Sequence, residues 1–257
     1  MKIYIPTYKR DVVRTLRYIP PEWMERTSIV VEERDEKRIR KADVRCNKIV
    51  VPEGRSKHIG DTRQYILDLT RENKIMFLDD DITIQVLKNP GRHNLREANF
   101  GDFRLLLNRL EYLLDLYPLV GASARNEAHL DFNKRFQINA RIIRWLGVDV
   151  SFARRNNICF NRVPTSEDYD FHLQILRRGV QTVKDCTAFV GDGGSNRPGE
   201  GCYETHSHYA DGESQKIIQS LHPDFVKLVT KTGSGWTRTD VQVQWKKAYQ
   251  WGVAHAI

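Results

Sequence analysis

Short apolar runs alternate with segments of helical periodicity through the first 85 residues, and this alternation constrains the fold more than any other feature. "MKIYIPTYKR" opens as a strand ended by Pro6 and Thr7. "TSIVVEERDEKRIRKA" holds a second strand, Ser28 to Val31, running into a charged helix, and "NKIVVPEG" a third, stopped by Pro52. In "HIGDTRQYILDLTREN", Ile59, Arg63, Ile66, Leu67 and Thr70 recur at three- and four-residue spacings, the pattern of an amphipathic helix, before the strand "KIMFL". Apolar strands alternating with helices predict a mostly parallel central sheet flanked by helices on both faces, as in nucleotide-binding α/β folds. In such sheets ligands bind beyond the carboxyl ends of the strands.

Downstream, "DFRLLLNRLEYLLDLY" places Leu106, Leu110, Leu113, Leu114 and Tyr117 on one helical face, with Pro118 as its stop. "PLVGAS" starts another strand, and "QINARIIRWLGVDV" reads as a strand or hairpin across the middle of the domain. "TSEDYDFHLQILRRGV" reads as a helix with Thr165 or Ser166 as N-cap, acidic residues in its first turn and Gly179 as its C-terminal stop. From Gly191 the chain turns glycine-rich, and residues 191–213 are expected to form a mobile loop, with Asp192 and Glu204 part of a lid hinged at the glycines.

At 257 residues, with 40% apolar and 10% aromatic content, the chain can bury one sizeable core, so residues 1–257 are expected to form one domain. No run of eighteen apolar residues and no signal-peptide pattern is present, which points to an intracellular protein without membrane work. Cys46, Cys159, Cys186 and Cys202 form no CxxC pair and read as reduced thiols. Lys plus Arg exceed Asp plus Glu by 41 − 33 = 8, so the surface field attracts polyanions such as nucleic acid or nucleotide.

The chemistry centres on "KIMFLDDDITI". Asp79, Asp80 and Asp81 follow a buried strand, where a rigid backbone offers carboxylates to a divalent cation together with substrate phosphates; a solvated acidic turn is the plainer alternative. Two further features favour the cation. "IPTYKR", with Pro6, Thr7, Tyr8 and Arg10, ends the first strand where a nucleotide base could be received, and "GRSKHIGDTRQ" sets Arg55, Lys57 and Arg63 around a helix start, where cations and free N–H groups meet phosphate. Glu167 and Asp168 stand at a later helix N-terminus, where dipole-complementing residues are the structural alternative; His206 and His208 of "ETHSH" read by themselves as ordinary surface histidines. His58, His93, His129, His172 and His222 read as structural, although His172 stands at i, i+4 from Asp168 and could bond it.

In these motifs and their order, residues 1 to about 210 resemble the GT-A glycosyltransferases, and with the basic charge and compact size the chain looks like the phage TET-associated glycosyltransferases. The resemblance implies a Rossmann-like GT-A domain with a nucleotide-sugar-binding half, 1–85, and an acceptor-binding half, 86–257. It implies transfer of a sugar from a nucleotide sugar, UDP-glucose by family habit, to a hydroxymethylated pyrimidine such as 5-hydroxymethylcytosine in DNA, with Mn²⁺ or Mg²⁺ as cofactor, by a phage-encoded enzyme in the host cytoplasm. Asp81 would coordinate the metal with Asp79, His206 or His208. Asp79 would also contact the sugar or ribose and Asp80 would be a secondary contact, while Glu167 or Asp168 would be the general base.

"RNEAHLDFNKRFQINARIIRW" and "SFARRNN" interleave Arg125, Arg135, Arg154 and Arg155 with Phe132, Phe136, Trp145 and Phe152, a mixture suited to gripping phosphates and stacking bases, although aromatics at these spacings are more often core. A polysaccharide or other acceptor, a metal-dependent nuclease and a non-catalytic DNA-binding module remain the competing readings.

Overall fold

The computed structural model describes residues 1–39, 45–89, 92–192, 212–233 and 236–255. Twelve strands are found among them: β1 (Lys2–Thr7), β2 (Thr27–Glu32), β3 (Asn47–Val51), β4 (Lys74–Leu78), β5 (Ile82–Leu87), β6 (Leu95–Glu97), β7 (Leu119–Ala124), β8 (Phe136–Ile138), β9 (Trp145–Asp149), β10 (Val183–Asp192), β11 (Val226–Gly233) and β12 (Trp236–Val243). The longer helices are α1 (Ile59–Leu69), α2 (Phe100–Leu113), α3 (Val150–Arg155), α4 (Glu167–Leu176), α5 (Glu213–Leu221) and α6 (Trp245–His255). The first ten strands make one sheet in the order β3-β2-β1-β4-β9-β7-β10-β5-β6, with β8 paired to β10; β11 and β12 form a separate hairpin. β3, β2, β1 and β4 are parallel neighbours, whereas β5, β8 and β9 run against the other seven.

The strands read as continuous apolar runs because the sheet is covered on both faces. Ile3, Ile5, Ile29, Val31, Met76 and Leu78 enter one core, closed by Phe103, Leu106, Leu107 and Leu110 of α2. The alternate residues Tyr4, Val30, Ile75 and Phe77 enter the other, closed by Ile66 and Leu67 of α1, Ala153 of α3, and Phe171 and Ile175 of α4. A third core joins Leu173 and Leu176 of α4 to Ile218 of α5, Val226 and Val241 of the hairpin, and Ala248 of α6. α2 starts with a capping box, in which Asn99 accepts from the Asp102 N–H and the Asp102 carboxylate accepts from that of Asn99. No described helix is long and apolar enough to cross a membrane.

Several local expectations differ from the structure. "QINARIIRWLGVDV" forms two strands but no hairpin: β8 joins β10, and β9 inserts between β4 and β7. The linking residues include Ile142, fully buried, and turn at Asn139 and Arg144, both with positive φ. Ser166 is the residue before α4, but its φ of 58° is left-handed and its side chain makes no cap hydrogen bond, while Thr165 donates to Ser214 instead. The segment expected as a loop from residue 191 continues β10 through Asp192, and α5 begins at Glu213; Glu204 and Cys202 lie outside the described residues. Cys46, Cys159 and Cys186 are free thiols.

The register also sorts the arginines. Lys74 pairs with Asp149, so α3 starts at the amino end of β4, the end remote from Asp79. There Arg154 donates to the carbonyls of Leu67, Asp68 and Thr70 at 2.5, 3.1 and 2.7 Å, closing the C-terminus of α1. Its partners are therefore structural, and the phosphate grip expected of Arg154 gives way to a helix cap. Arg154→Ala should cost about 2 kcal/mol, the scale of charge-assisted bonds to otherwise unpaired carbonyls, read by urea unfolding, with UDP affinity unchanged.

Candidate active site

The parallel strands β1, β2 and β4 deliver their carboxyl ends to one side of the sheet, and a cleft of about 340 Å³ opens there. Pro6, Thr7, Tyr8 and Arg10 line it from the end of β1, Val30 and Glu32 from β2, and Asp79, Asp80 and Asp81 from the end of β4. Ser166, Glu167, Asp168 and Tyr169 enter from the start of α4, and Lys231, Arg238 and Asp240 from the hairpin. Residues separated by some ninety positions in sequence are thus brought into one site.

The three aspartates occupy a tight turn, because β5 begins directly at Ile82. Thr15, fully buried, holds that turn: its backbone N–H donates to the Asp80 carbonyl, its hydroxyl donates to the Asp79 carbonyl at 2.6 Å, and its Oγ1 accepts the Ile82 N–H at 3.1 Å. The Asp79 N–H donates to the carbonyl of Arg144. Arg144 and Ser166 both line the cleft with positive φ, a costly backbone conformation that folds retain chiefly where it positions something.

Arg63 joins the two halves of the site. Its buried guanidinium donates to Glu167 at 2.5 Å and to Asp79 at 2.7 Å, and lies 5.7 Å from the centre of the Phe77 ring. Gly60, one turn earlier on α1, makes this approach possible, since a Cβ there would stand 2.6 Å from the Val163 carbonyl oxygen. The expectation that Arg63 meets phosphate at the helix start is accordingly revised: it sits beneath the carboxylates. Lys57 lines the cleft, whereas Arg55 is exposed in the preceding turn and does not.

Glu167 and Asp168 differ in place. Glu167 is 3% exposed and tied to Arg63, while Asp168 is half-buried, faces the cleft and accepts the Tyr169 N–H at 3.0 Å. Burial raises both carboxyls, Glu167 to about 7; Arg63 opposes the shift in each case. His172 does not bond Asp168: its Nε2 meets the Thr182 hydroxyl at 2.7 Å and its ring stacks on Trp245. Burial pushes His172 down to about 3, which keeps it neutral. His222 is also structural, meeting Asp170 at 2.7 Å.

Arg10 spans the other two aspartates, 2.8 Å from Asp81 and 3.5 Å from Asp80. The Asp81 side chain is only 10% exposed and that of Asp80 12%, and burial together with the neighbouring Asp81 raises Asp80 to about 7. Buried, crowded carboxylates of this kind are hard oxygen donors whose ionised form a divalent cation favours, so they fit Mn²⁺ or Mg²⁺ in kind. Among the described residues no group of three His, Cys, Asp or Glu could hold a metal ion by itself. His206 and His208 lie outside the described residues.

Sequence reasoning missed Arg141, which bonds Asn126, Glu127 and Tyr169 beside Asp168, and missed Glu32, Arg144 and the hairpin side chains. The only cue was the density of arginines after Arg135. Arg125 follows β7 at the same end of the sheet but packs its side chain along Gly191; Arg135 is exposed with Phe136, and Arg155 is exposed on α3. Trp145 is core, packed on Phe103.

The chain matches the sequence profile of the TET-associated glycosyltransferases over residues 1–187. It belongs to that family. No curated protein sequence matches it. Among solved structures, glucosyl-3-phosphoglycerate synthase from Mycobacterium tuberculosis, in complex with Mg²⁺ and uridine diphosphate, aligns with a TM-score of 0.55 at 12% identity, over 94% of this chain and 86% of that one. The mannosyltransferase PcManGT from Pyrobaculum calidifontis, in complex with GDP-Man and Mn²⁺, aligns with a TM-score of 0.51 at 12% identity, over 76% and 57%. Residues 1–349 of S. aureus TarS align at 15% identity and a TM-score of 0.49 over 75% of this chain, which spans 60% of that structure. The first two similarities establish the GT-A fold of this TET-associated glycosyltransferase.

The buried carboxyls give the fold a pH signature. A carboxyl held above its ordinary value stabilises the fold fully below that value and loses the contribution as pH rises through its folded value. With Asp80 and Glu167 both raised to about 7, Tm measured in EDTA should fall between pH 5 and pH 8. Asp80→Asn, which cannot ionise, should flatten that fall and raise Tm at pH 8 by about 2–4 °C, the response of a chain this size to 1 kcal/mol.

Proposed function

We propose that this glycosyltransferase moves a hexose from a UDP-sugar to a hydroxyl of a hydroxymethylated pyrimidine in DNA. One observation carries the reading: the strand-end aspartates and the carboxylates at the start of α4 share a single cleft, bridged by Arg63. The family match supports transfer to a modified base, and the net charge of +8 supports a polyanionic acceptor. The cited structural neighbours, crystallised with UDP or GDP-Man and a divalent ion, support the donor class.

In this mechanism Pro6, Thr7 and Tyr8 receive the nucleotide, and Lys57 adds positive charge at the mouth. Asp81, with Asp80 beside it, would hold Mn²⁺ or Mg²⁺, since hard divalent ions prefer carboxylate oxygens. When bound there, the ion would supply Lewis-acid neutralisation of charge on the departing diphosphate. Asp79, oriented by Arg63, faces the sugar. Asp168 is the base: it takes the acceptor hydroxyl proton as that oxygen attacks the anomeric carbon and the bond to the diphosphate breaks. Burial raises its carboxyl above the ordinary aspartate value, the direction that makes a carboxylate a stronger base. Glu167 positions Arg63 rather than touching substrate.

The test is the intact mass of two oligonucleotides, one with 5-hydroxymethylcytosine and one with cytosine, after incubation with the protein, Mn²⁺ and a panel of UDP-sugars. A hexose-sized gain on the modified strand alone is expected. Release of UDP without a gain on DNA transfers the reading to another acceptor, and strand cleavage with Mg²⁺ alone establishes the nuclease. Asp168→Asn should lower kcat by about 10²–10⁴, the range of a lost general base, and Asp81→Ala should abolish metal-dependent transfer, each with far-UV circular dichroism unchanged. A fully active Asp81→Ala would sink the proposal.

A further inference from the structure

We propose that Arg141 is a positioning residue for the base: anchored by a relay of charges that runs into the core, it fixes a positive charge beside the carboxylate of Asp168. This rests on the assignment of Asp168 as base in the reading above. Arg141 lines the cleft together with Asp168 and Tyr169. Its guanidinium donates to the Tyr169 hydroxyl at 3.3 Å, to Asn126 Oδ1 at 3.2 Å and to Glu127 at 2.8 Å. Glu127 gives its other oxygen to Lys184 Nζ at 2.8 Å, and Lys184 meets Asp131 at 2.8 Å. The Lys184 and Asp131 side chains are only 3% and 2% exposed. Burial acts against the Lys184 charge, but its two carboxylate partners outweigh it and hold the ammonium above its ordinary value. Ser123 of β7 and Gln137 of β8 donate to Asp131 at 2.8 and 2.6 Å, which fixes the inner end of the relay to the sheet.

The backbone that carries Arg141 is pinned as well. Asn139, with φ of 54°, donates its N–H to the Thr182 carbonyl at 2.9 Å and accepts the Thr182 N–H at 3.0 Å. Ile142 is fully buried, and the Arg144 carbonyl accepts the Asp79 N–H. Among the described residues the buried Nε of Arg141 finds no acceptor, a cost that folds retain chiefly where position matters. The relay alternates in sign from Asp131 to Arg141, and of its four members only Arg141 lines the cleft, so its positive end is the one presented to the base. Asp168 stands among mixed charges. Burial raises its carboxyl; Arg63 of α1, with Arg144 and Arg141 of the β8–β9 link, opposes the rise. Glu167 beside it and Asp79 at the end of β4 are like charges, while Tyr169, raised by burial with Asp240 of the hairpin nearby, stays neutral. Arg63 is bound to Glu167 and Asp79, whereas Arg141 answers to an acid outside the cleft. A fixed cation of this kind keeps a desolvated carboxylate ionised, and therefore able to accept a proton.

The test is the pH profile of kcat for wild type, Arg141→Gln, Arg141→Met and Arg141→Lys, at saturating Mn²⁺, 5-hydroxymethylcytosine oligonucleotide and the UDP-hexose active in the mass assay. The rising limb reports the base in the loaded enzyme. Loss of a positive charge beside a carboxylate makes it hold its proton to higher pH, so both neutral variants should move the limb upward by about half a pH unit. On the limb that lowers kcat by about threefold at a given pH, with the curves converging where the base is fully ionised. Arg141→Lys, which keeps the charge, should leave the limb in its wild-type place. UDP affinity with Mn²⁺, read by calorimetry, should stay within about twofold, because Arg141 acts on the base and not on donor binding. A limb that stays put in Arg141→Gln and Arg141→Met overturns the proposal, and so does a fall in kcat at every pH that Arg141→Lys shares. Wild-type kcat in Asp168→Asn overturns it at the root, since the base assignment then fails with it.

Discussion

The site depends on one buried guanidinium. Arg63 holds Asp79 at the end of β4 and Glu167 at the start of α4, and without it two carboxylates would be desolvated on opposite walls with no cation between them. A buried charge network of this sort gives little net stability, since the desolvation of each ion offsets most of the attraction. Its consequence is geometric. The two halves of the cleft are fixed to each other through one planar, bidentate group, and a lysine could not do the same, because a point charge lacks the fork that reaches both acids at once.

Around that node the acids are divided by environment rather than by type. Glu167 is buried against Arg63, while Asp168, its neighbour, faces the cleft, and both sit in the first turn of α4, where the helix dipole favours negative charge. Asp80 and Asp81 crowd against Arg10 in a turn pinned by Thr15. Asp80 and Glu167 are both raised to about 7, but by different surroundings: Asp80 is buried beside Asp81, whereas Glu167 is buried against Arg63. The sheet tolerates this because Thr15 and the Arg144 carbonyl fix the turn's backbone, so the repulsion cannot relax by unwinding the strand end.

What the sequence made legible was whatever local periodicity controls. β1 to β4, α1, α2 and α4 were readable because their apolar residues recur at the period of the element that carries them, and the strand-end aspartates followed from that reading. β5 was hidden by standing directly after the acidic run, although "ITIQVL" alternates as a strand should. The insertion of β9 between β4 and β7 depends on pairing partners far away in sequence, which local pattern does not encode. Arg63 shows the same limit at the level of a single side chain. Its helix position was correct, but its role is set by Glu167, 104 residues away, so it looked like a phosphate ligand when it is a brace.

Arg154 and the hairpin cations make a complementary contrast, and it bears on how a basic protein deploys its charge. Arg154, in a run of arginines and aromatics that reads like a nucleic-acid surface, donates all its observed bonds to carbonyls that end α1. Lys231 and Arg238, in a stretch with no such density, face the cleft. Net charge therefore specifies a long-range field but not a binding surface, because the contact depends on which cations the fold leaves pointing at substrate. In this chain the sheet order decides that. Strands whose carboxyl ends meet at the cleft bring acids, the opposite end of the sheet absorbs Arg154 as a helix cap, and the hairpin packed on α4 lines the remaining side of the cleft with Lys231, Arg238 and Asp240.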